Sequence, residues 1–238
     1  MSGKCKGALL ALGLAMALCL AGCLGGTDSA GGGVSRPASI ESAELQFTHP
    51  AAGDTVAVFD TSAGVFRAVL FPQQAPQACA NFIGLAQAGY YNGLTVTRVE
   101  AGFVVEAGQD AAGGATTIWN GNGYPPEYTD QLHHYSGALC AAMSDAGEGG
   151  SVFYVVQTAP GMEQELIDQM TSQGWRQEII DAYTAAGGAP YLDYTDTVFG
   201  QVYEGMDVVD AIGAAAVDEN QTPTEPITIN SVTVETCQ

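Results

Sequence analysis

About eight short segments of strand character, cut by glycine-rich turns, constrain this chain more than anything else in it. Thr55–Asp60 (TVAVFD) alternates, Thr61–Gly64 turns the chain, and Val65–Phe71 (VFRAVLF) alternates again, which is a β-hairpin signal. Leu94–Val99, Phe103–Ala107, Gly137–Met143, Ser151–Gln157, Thr197–Val202 and Ile227–Val234 read as further strands. A sheet of many short strands exposes its edges unless it closes on itself, so a barrel is expected. Two conventional helices accompany the strands. Pro76 opens the first, whose apolar set Cys79, Phe82, Ile83, Leu85 and Ala86 runs to Gly89. Met206–Ile212 (MDVVDAI) is the second and shorter one.

One stretch departs from this rhythm. Met162–Ala186 has helical periodicity, with Leu166 and Met170 on one stripe and Trp175, Ile179 and Tyr183 on another, separated by Gly174. It reads as a helical insertion whose apolar stripes pack on the barrel, or alternatively extend a binding groove. Ala112–Asp130 is a Gly/Pro/Asn-rich loop.

Residues 1–22 read as a signal peptide. Lys4 and Lys6 supply the charged start and Gly7–Leu20 an apolar run, too short for a membrane span of roughly 20 residues. Leu20-Ala21-Gly22-Cys23 resembles the bacterial lipobox, in which the cysteine is diacylated, and implies lipidation of Cys23. Several acyl chains on one residue anchor stably, where one chain binds only marginally. An extracytoplasmic protein, lipid-anchored to the bacterial membrane, is expected. Residues 23–53, rich in Gly, Ser, Ala and Thr, read as a flexible tether with an r.m.s. span of roughly 30 Å, and 54–238 as one domain.

Both lysines lie in that leader, so the chain beyond it carries four arginines against 26 acidic residues, a balance of −22. Such a field repels nucleic acid and anionic lipid, and neither is an expected partner. Of the cysteines after Cys23, Cys79, Cys140 and Cys237 have no metal-ligand spacing. A Cys79–Cys237 disulfide is the first pairing to expect, while Cys140, in an apolar strand, reads as a small buried hydrophobe. His133-His134 reads as a solvated turn, and no Ser/His/Asp set or phosphate loop is credible.

Arg98 is the residue that asks for an explanation. It is a scarce cation inside an apolar, β-branched run, with Phe103 five residues on. It could donate to a ligand beside an apolar pocket. On these residues alone, pairing with one of the many carboxylates is the plainer reading.

Taken in order, Ala75–Phe82 (APxxxxNF), Arg98–Phe103 (RVxxxF), GALCAAM, GSVFYVV and Val198–Ile212 (VFGQVYEGMDVVDAI) resemble the cyclophilin-type peptidyl-prolyl isomerases over about 55–236, interrupted at 158–190. The resemblance implies a mainly β fold, an eight-stranded antiparallel barrel capped by two helices, here with the helical insertion. It implies cis/trans rotation of X–Pro bonds without cofactor or metal, by a monomer acting on Pro-containing polypeptides of exported proteins. Arg98 stands at the catalytic arginine; Phe103, Val104, Tyr154 and Leu192 stand at the proline-pocket positions, and Tyr191 at a tryptophan on the groove rim. The departures are Thr97 for a histidine, Glu106 for a glutamine, Ala107 for a glycine, Val104 for a methionine, Met143 for an asparagine, Val152 for a glutamine, and Asp196 for a histidine that closes the pocket. Ionised glutamate only accepts hydrogen bonds, so Glu106 is expected to pair with Arg98, orient it and compete with the substrate for it. A barrel kept for binding Pro-containing peptides, without useful catalysis, is the rival reading.

Overall fold

A computed structural model describes residues 34–238, and the signal-peptide and lipidation readings at 1–23 lie outside the described residues. Eight strands, β1 (Thr55–Thr61), β2 (Gly64–Leu70), β3 (Val96–Glu100), β4 (Val104–Ala107), β5 (Ala138–Met143), β6 (Gly149–Val156), β7 (Thr197–Glu204) and β8 (Ile229–Thr236), form one antiparallel sheet. Its order is β3-β4-β6-β5-β7-β2-β1-β8. The sheet curls until its ends meet: Gly93 and Val96 donate to Ile229 and Ile227, and Ile229 donates back to Leu94. These bonds take up residues 94–95, which the alternation assigns to β3.

Both faces of this sheet are covered, and that explains why several strands are apolar throughout rather than alternating. Leu139, Ala141, Phe153, Val155 and Phe199 point inward with Phe59, Phe66 and Val105. Their neighbours Ala138, Cys140, Tyr154, Val156 and Val198 form a second apolar cluster on the outer face with Val104. Helix α1 (Pro76–Gln87) closes the inner core. Its Phe82 lies 5.2–5.8 Å, ring to ring, from Tyr91, Phe199, Phe59 and Phe153. Proline suits the first turn of α1 because its missing N–H needs no partner there. The free Gln77 and Ala78 amides are capped from afar by the Glu127 carboxylate at 2.9 Å. Asn81 accepts from Ile118 N–H and donates to Gly150 O, tying α1 to the long loop and to β6.

The insertion is two helices, α2 (Gln164–Ser172) and α3 (Gln177–Ala186), broken where Gly174 takes φ +79°. Both stripes pack into one cluster, with Leu166 and Trp175 half-buried at its edge. Met170, Ile179, Ile180 and Tyr183 pack with Tyr135, at the base of β5, as expected for a stripe that faces the barrel. The last helix, α4 (Met206–Gly213), follows β7.

Two expectations fail. The stretch read as tether is not free beyond Val34. Arg36 grips Asp210 with two charge-assisted bonds of 2.7 and 2.6 Å and donates to Ser136 Oγ. Ile40 and Phe47 join the insertion's core, and buried Gln46 bonds to His133 and Gln201. The few apolar residues there anchor a strap that the bulk composition hides. The Cys79–Cys237 disulfide is also absent. All three described cysteines are free thiols. Cys79 faces the core from α1, donating to Phe199 O, and burial pushes its thiol up to about 12. Cys237 lies instead beside Pro50 O, half-buried near the chain end. Cys140 is a fully buried hydrophobe, as read.

Candidate active site

The strand register sets three polar side chains in a row on the outer face. Arg98 on β3 is opposite Glu106 on β4, and Glu106 is opposite Tyr154 on β6. Val104, two residues from Glu106 on the same strand, shares that face and is buried with Tyr154. Phe103 and Leu192, both half-buried, pack on this cluster. Tyr191 leans over Phe103 with ring centroids 6.1 Å apart and planes at 30°. The result is an apolar seat of Phe103, Val104, Tyr154 and Leu192 with Tyr191 at its rim and the Arg98 guanidinium beside it.

Asp196 closes the back of the seat. Its carboxylate accepts from the Tyr154 hydroxyl at 2.8 Å and from Met143 N–H at 3.2 Å. Burial, then the neighbouring Cys140 and Asp196, push the Tyr154 hydroxyl far above its usual value, so it keeps its proton and donates it to Asp196. Beyond Glu106, Met143 and Val152 a groove of about 560 Å³ continues toward the turn between β5 and β6.

Arg98 is held from three sides. Its Nε donates to Gln221 Oε1 at 2.9 Å and its Nη2 to Glu100 Oε2 at 2.6 Å. Nη1 lies 3.6 Å from Glu106 Oε2, longer than a good hydrogen bond. Glu106 therefore pairs with Arg98 as expected, but at longer range; the shorter bonds from Glu100 and Gln221 do most to orient it, and Nη1 is the loosely engaged nitrogen. Glu100 had a readable signal, since residues two apart on a strand share a face. Gln221 had none, arriving from a loop 123 positions away. Burial raises the Glu106 carboxyl above its ordinary range, and the Arg98 charge offsets only part of that. Thr97, at the position of the expected histidine, spends its hydroxyl on Glu106 O.

The sequence reading also missed what lies behind the seat. His133 and His134 are not a solvated turn. Both are buried, and each places Nδ1 within 2.8 Å of the Asp193 carboxylate. An apolar neighbourhood of Leu132, Tyr135 and the insertion's Tyr183 covers them, which a two-residue polar pattern does not reveal.

Comparison with known proteins gives a consistent result. The family described as "Cyclophilin type peptidyl-prolyl cis-trans isomerase/CLD" matches residues 56–234. A Staphylococcus aureus (strain COL) protein named as a peptidyl-prolyl cis-trans isomerase is 35% identical over 77% of this chain and 93% of its own length. One of the same name from Staphylococcus saprophyticus is 34% identical over 74% and 90%. Among solved structures, a cyclophilin type peptidyl-prolyl cis-trans isomerase of Cryptosporidium parvum shares the fold with TM-score 0.61, 19% identity, and coverage of 78% of this chain and 99% of that one. The same protein in the presence of the dipeptide Ala-Pro gives TM-score 0.60 at 20% identity, covering 76% and 99%. With its family match spanning the curled sheet, α1 and the Arg98 row, this chain belongs to the cyclophilin-type peptidyl-prolyl cis-trans isomerases.

Proposed function

We propose that the chain accelerates X–Pro rotation at the Arg98 row, acting on exported polypeptides from a lipid anchor. The observation that carries the site assignment is Arg98 Nη1, loosely engaged at the edge of a ready-made apolar seat. Amide resonance sets a barrier of about 18–20 kcal/mol to X–Pro rotation. The seat of Phe103, Val104, Tyr154 and Leu192 takes the proline ring, and Tyr191 covers it. As the bond twists, the prolyl nitrogen regains its lone pair and becomes an acceptor. An Arg98 N–H aimed there stabilises the twisted state more than the planar one, which is what acceleration requires. Glu100 and Gln221 hold the guanidinium so that little reorganisation is needed.

Glu106 tunes this donor. Its carboxylate draws Nη1 away from the prolyl nitrogen, so Glu106→Gln is expected to raise kcat/KM about threefold to tenfold, ~0.7–1.4 kcal/mol. Because burial raises the Glu106 carboxyl, it takes up a proton at higher pH than an ordinary glutamate. The native rate is therefore expected to climb as pH falls through that raised value, and the Glu106→Gln variant to stay flat across the same window. The folded state binds this proton more tightly than the unfolded chain, so stability contributed by Glu106 also rises as pH falls there. Exchange spectroscopy on a short Ala-Pro peptide with the full chain reads the rates. Shifted peptide resonances without faster exchange, in both proteins, would favour the reading of a peptide-binding module; the two carboxylates around Arg98 are its support.

The anchor reading rests on Lys4 and Lys6, the apolar run, and Leu20-Ala21-Gly22-Cys23. The mature chain, isolated from membranes, is expected to begin at a diacylated Cys23. An intact-mass measurement showing residues 1–22 still attached, or an unmodified cysteine, would overturn it.

A further inference from the structure

We propose that the helical insertion positions the rim of the proline seat through Asp193, which makes Asp193 and Tyr183 positioning residues for substrate binding. This rests on the seat assigned above. Tyr191 and Leu192 sit on the 3-10 turn Pro190–Leu192, and Asp193 comes directly after it. Within the turn Pro190 is buried, but the rim residue Tyr191 is 65% exposed and touches the seat through its ring over Phe103. What holds it is at its ends.

At the near end, Ala189 N–H donates to His134 O at 2.8 Å. Gly188 passes so close that an added Cβ would stand 2.6 Å from the Tyr183 ring and 2.5 Å from His134 O. At the far end, the Asp193 side chain is 3% exposed and is surrounded by donors. It accepts from His133 Nδ1 at 2.7 Å, from His134 Nδ1 at 2.8 Å, from His134 N–H at 2.9 Å and from the Tyr183 hydroxyl at 2.9 Å. Burial alone would raise this carboxyl; the two histidine bonds outweigh burial and hold it below its usual range. A buried carboxylate so fully paired fixes the backbone that carries it.

Three elements meet at that carboxylate: the segment entering β5, the rim turn, and α3 of the insertion. The histidines also reach the seat's floor, since the His134 ring stacks on Tyr154 at 6.4 Å and 19°. Tyr183 is the insertion's own contribution. Its ring packs on Tyr135, centroids 4.5 Å apart, and its hydroxyl is spent on Asp193. The insertion thereby sets where Tyr191 and Leu192 stand relative to Phe103, which governs how tightly a proline ring is held. Arg98 belongs to the other side of the seat, so the chemical step is left alone.

The test uses the full chain with Tyr183→Phe, which keeps the ring and removes the hydroxyl, and Asp193→Asn, which keeps the shape and removes the charge. Two readouts are taken: nuclear Overhauser contacts between the Tyr191 and Phe103 rings without peptide, and Kd, KM and kcat with an Ala-Pro peptide. Tyr183→Phe is expected to weaken the ring contacts and raise Kd and KM about threefold to tenfold, with kcat within about twofold. Asp193→Asn should do the same more strongly, and Gln169→Ala on the exposed face of α2 should change neither. A lower melting temperature with unchanged ring contacts and unchanged KM would reduce the cluster to packing and overturn the proposal. Should Tyr183→Phe fail to fold, Asp193→Asn decides by the same readouts. If the native chain speeds no exchange, the isomerase reading falls by itself. The ring contacts and the peptide Kd still decide for or against this one.

Discussion

Arg98→Ala is expected to lower kcat/KM by about 10²–10³, ~2.7–4 kcal/mol, the range for losing one donor aimed at a developing charge. The seat of Phe103, Val104, Tyr154 and Leu192 remains, so peptide affinity should change far less than rate. Stability should hardly move. The Arg98 side chain is one-third exposed and its partner Glu100 more so, which places their ion pair among those worth about 0–1 kcal/mol. Exchange spectroscopy on an Ala-Pro peptide gives the rate, and a urea titration gives the stability. Undiminished exchange in the variant would remove Arg98 from the chemistry and leave the seat as a binding site. A large stability loss would instead mark Arg98 as a structural residue held by Gln221 and Glu100.

Phe82→Ala should be the most destabilising single truncation of α1, by about 3–5 kcal/mol. Four aromatic rings stand within 5.8 Å of Phe82, and they are themselves fixed by the strands and turns that carry them. A rigid wall of this kind cannot collapse into the hole, and incomplete collapse is what makes such a truncation costly. For a domain near 200 residues this is a melting shift of roughly 6–20 °C. Below the transition, kcat/KM should stay within about twofold, because Phe82 lies on the inner side of the sheet and the Arg98 row on the outer. Thermal unfolding monitored by circular dichroism checks the first part. A loss under about 1 kcal/mol would mean the aromatic wall repacks freely.

Much of this was legible in the residues, for identifiable reasons. The strands announced themselves because a side chain's face is fixed by parity, and Val65–Phe71 needs no partner to show it. Parity also explains the ambiguous case: Gly137–Met143 is apolar throughout because Leu139 faces the inner core and Cys140 the outer cluster. The seat residues were legible through the order of motifs, since Phe103 and Tyr154 taken singly read as core. Most of the illegible parts depend on distance along the chain. Gln221 reaches Arg98 from a loop. His133 and His134 are buried because an insertion farther down the chain folds over them. Cys79 and Cys237 look like a pair in a list of thiols, yet one faces the core from α1 and the other lies at the chain end. The N-terminal strap was invisible for another reason: three apolar residues, Ile40, Leu45 and Phe47, vanish in the average of a glycine- and serine-rich stretch.

That strap changes what the domain can reach. With Arg36 clamped on Asp210, Cys23 is separated in sequence from the first residue so held by 13 residue steps, not 30. Fully stretched, those steps cover at most about 45 Å. With the anchor proposed above at Cys23, the protein would patrol a thin shell above the membrane. Chains emerging there would meet the Arg98 seat at a high local concentration, while chains farther out would be beyond its radius.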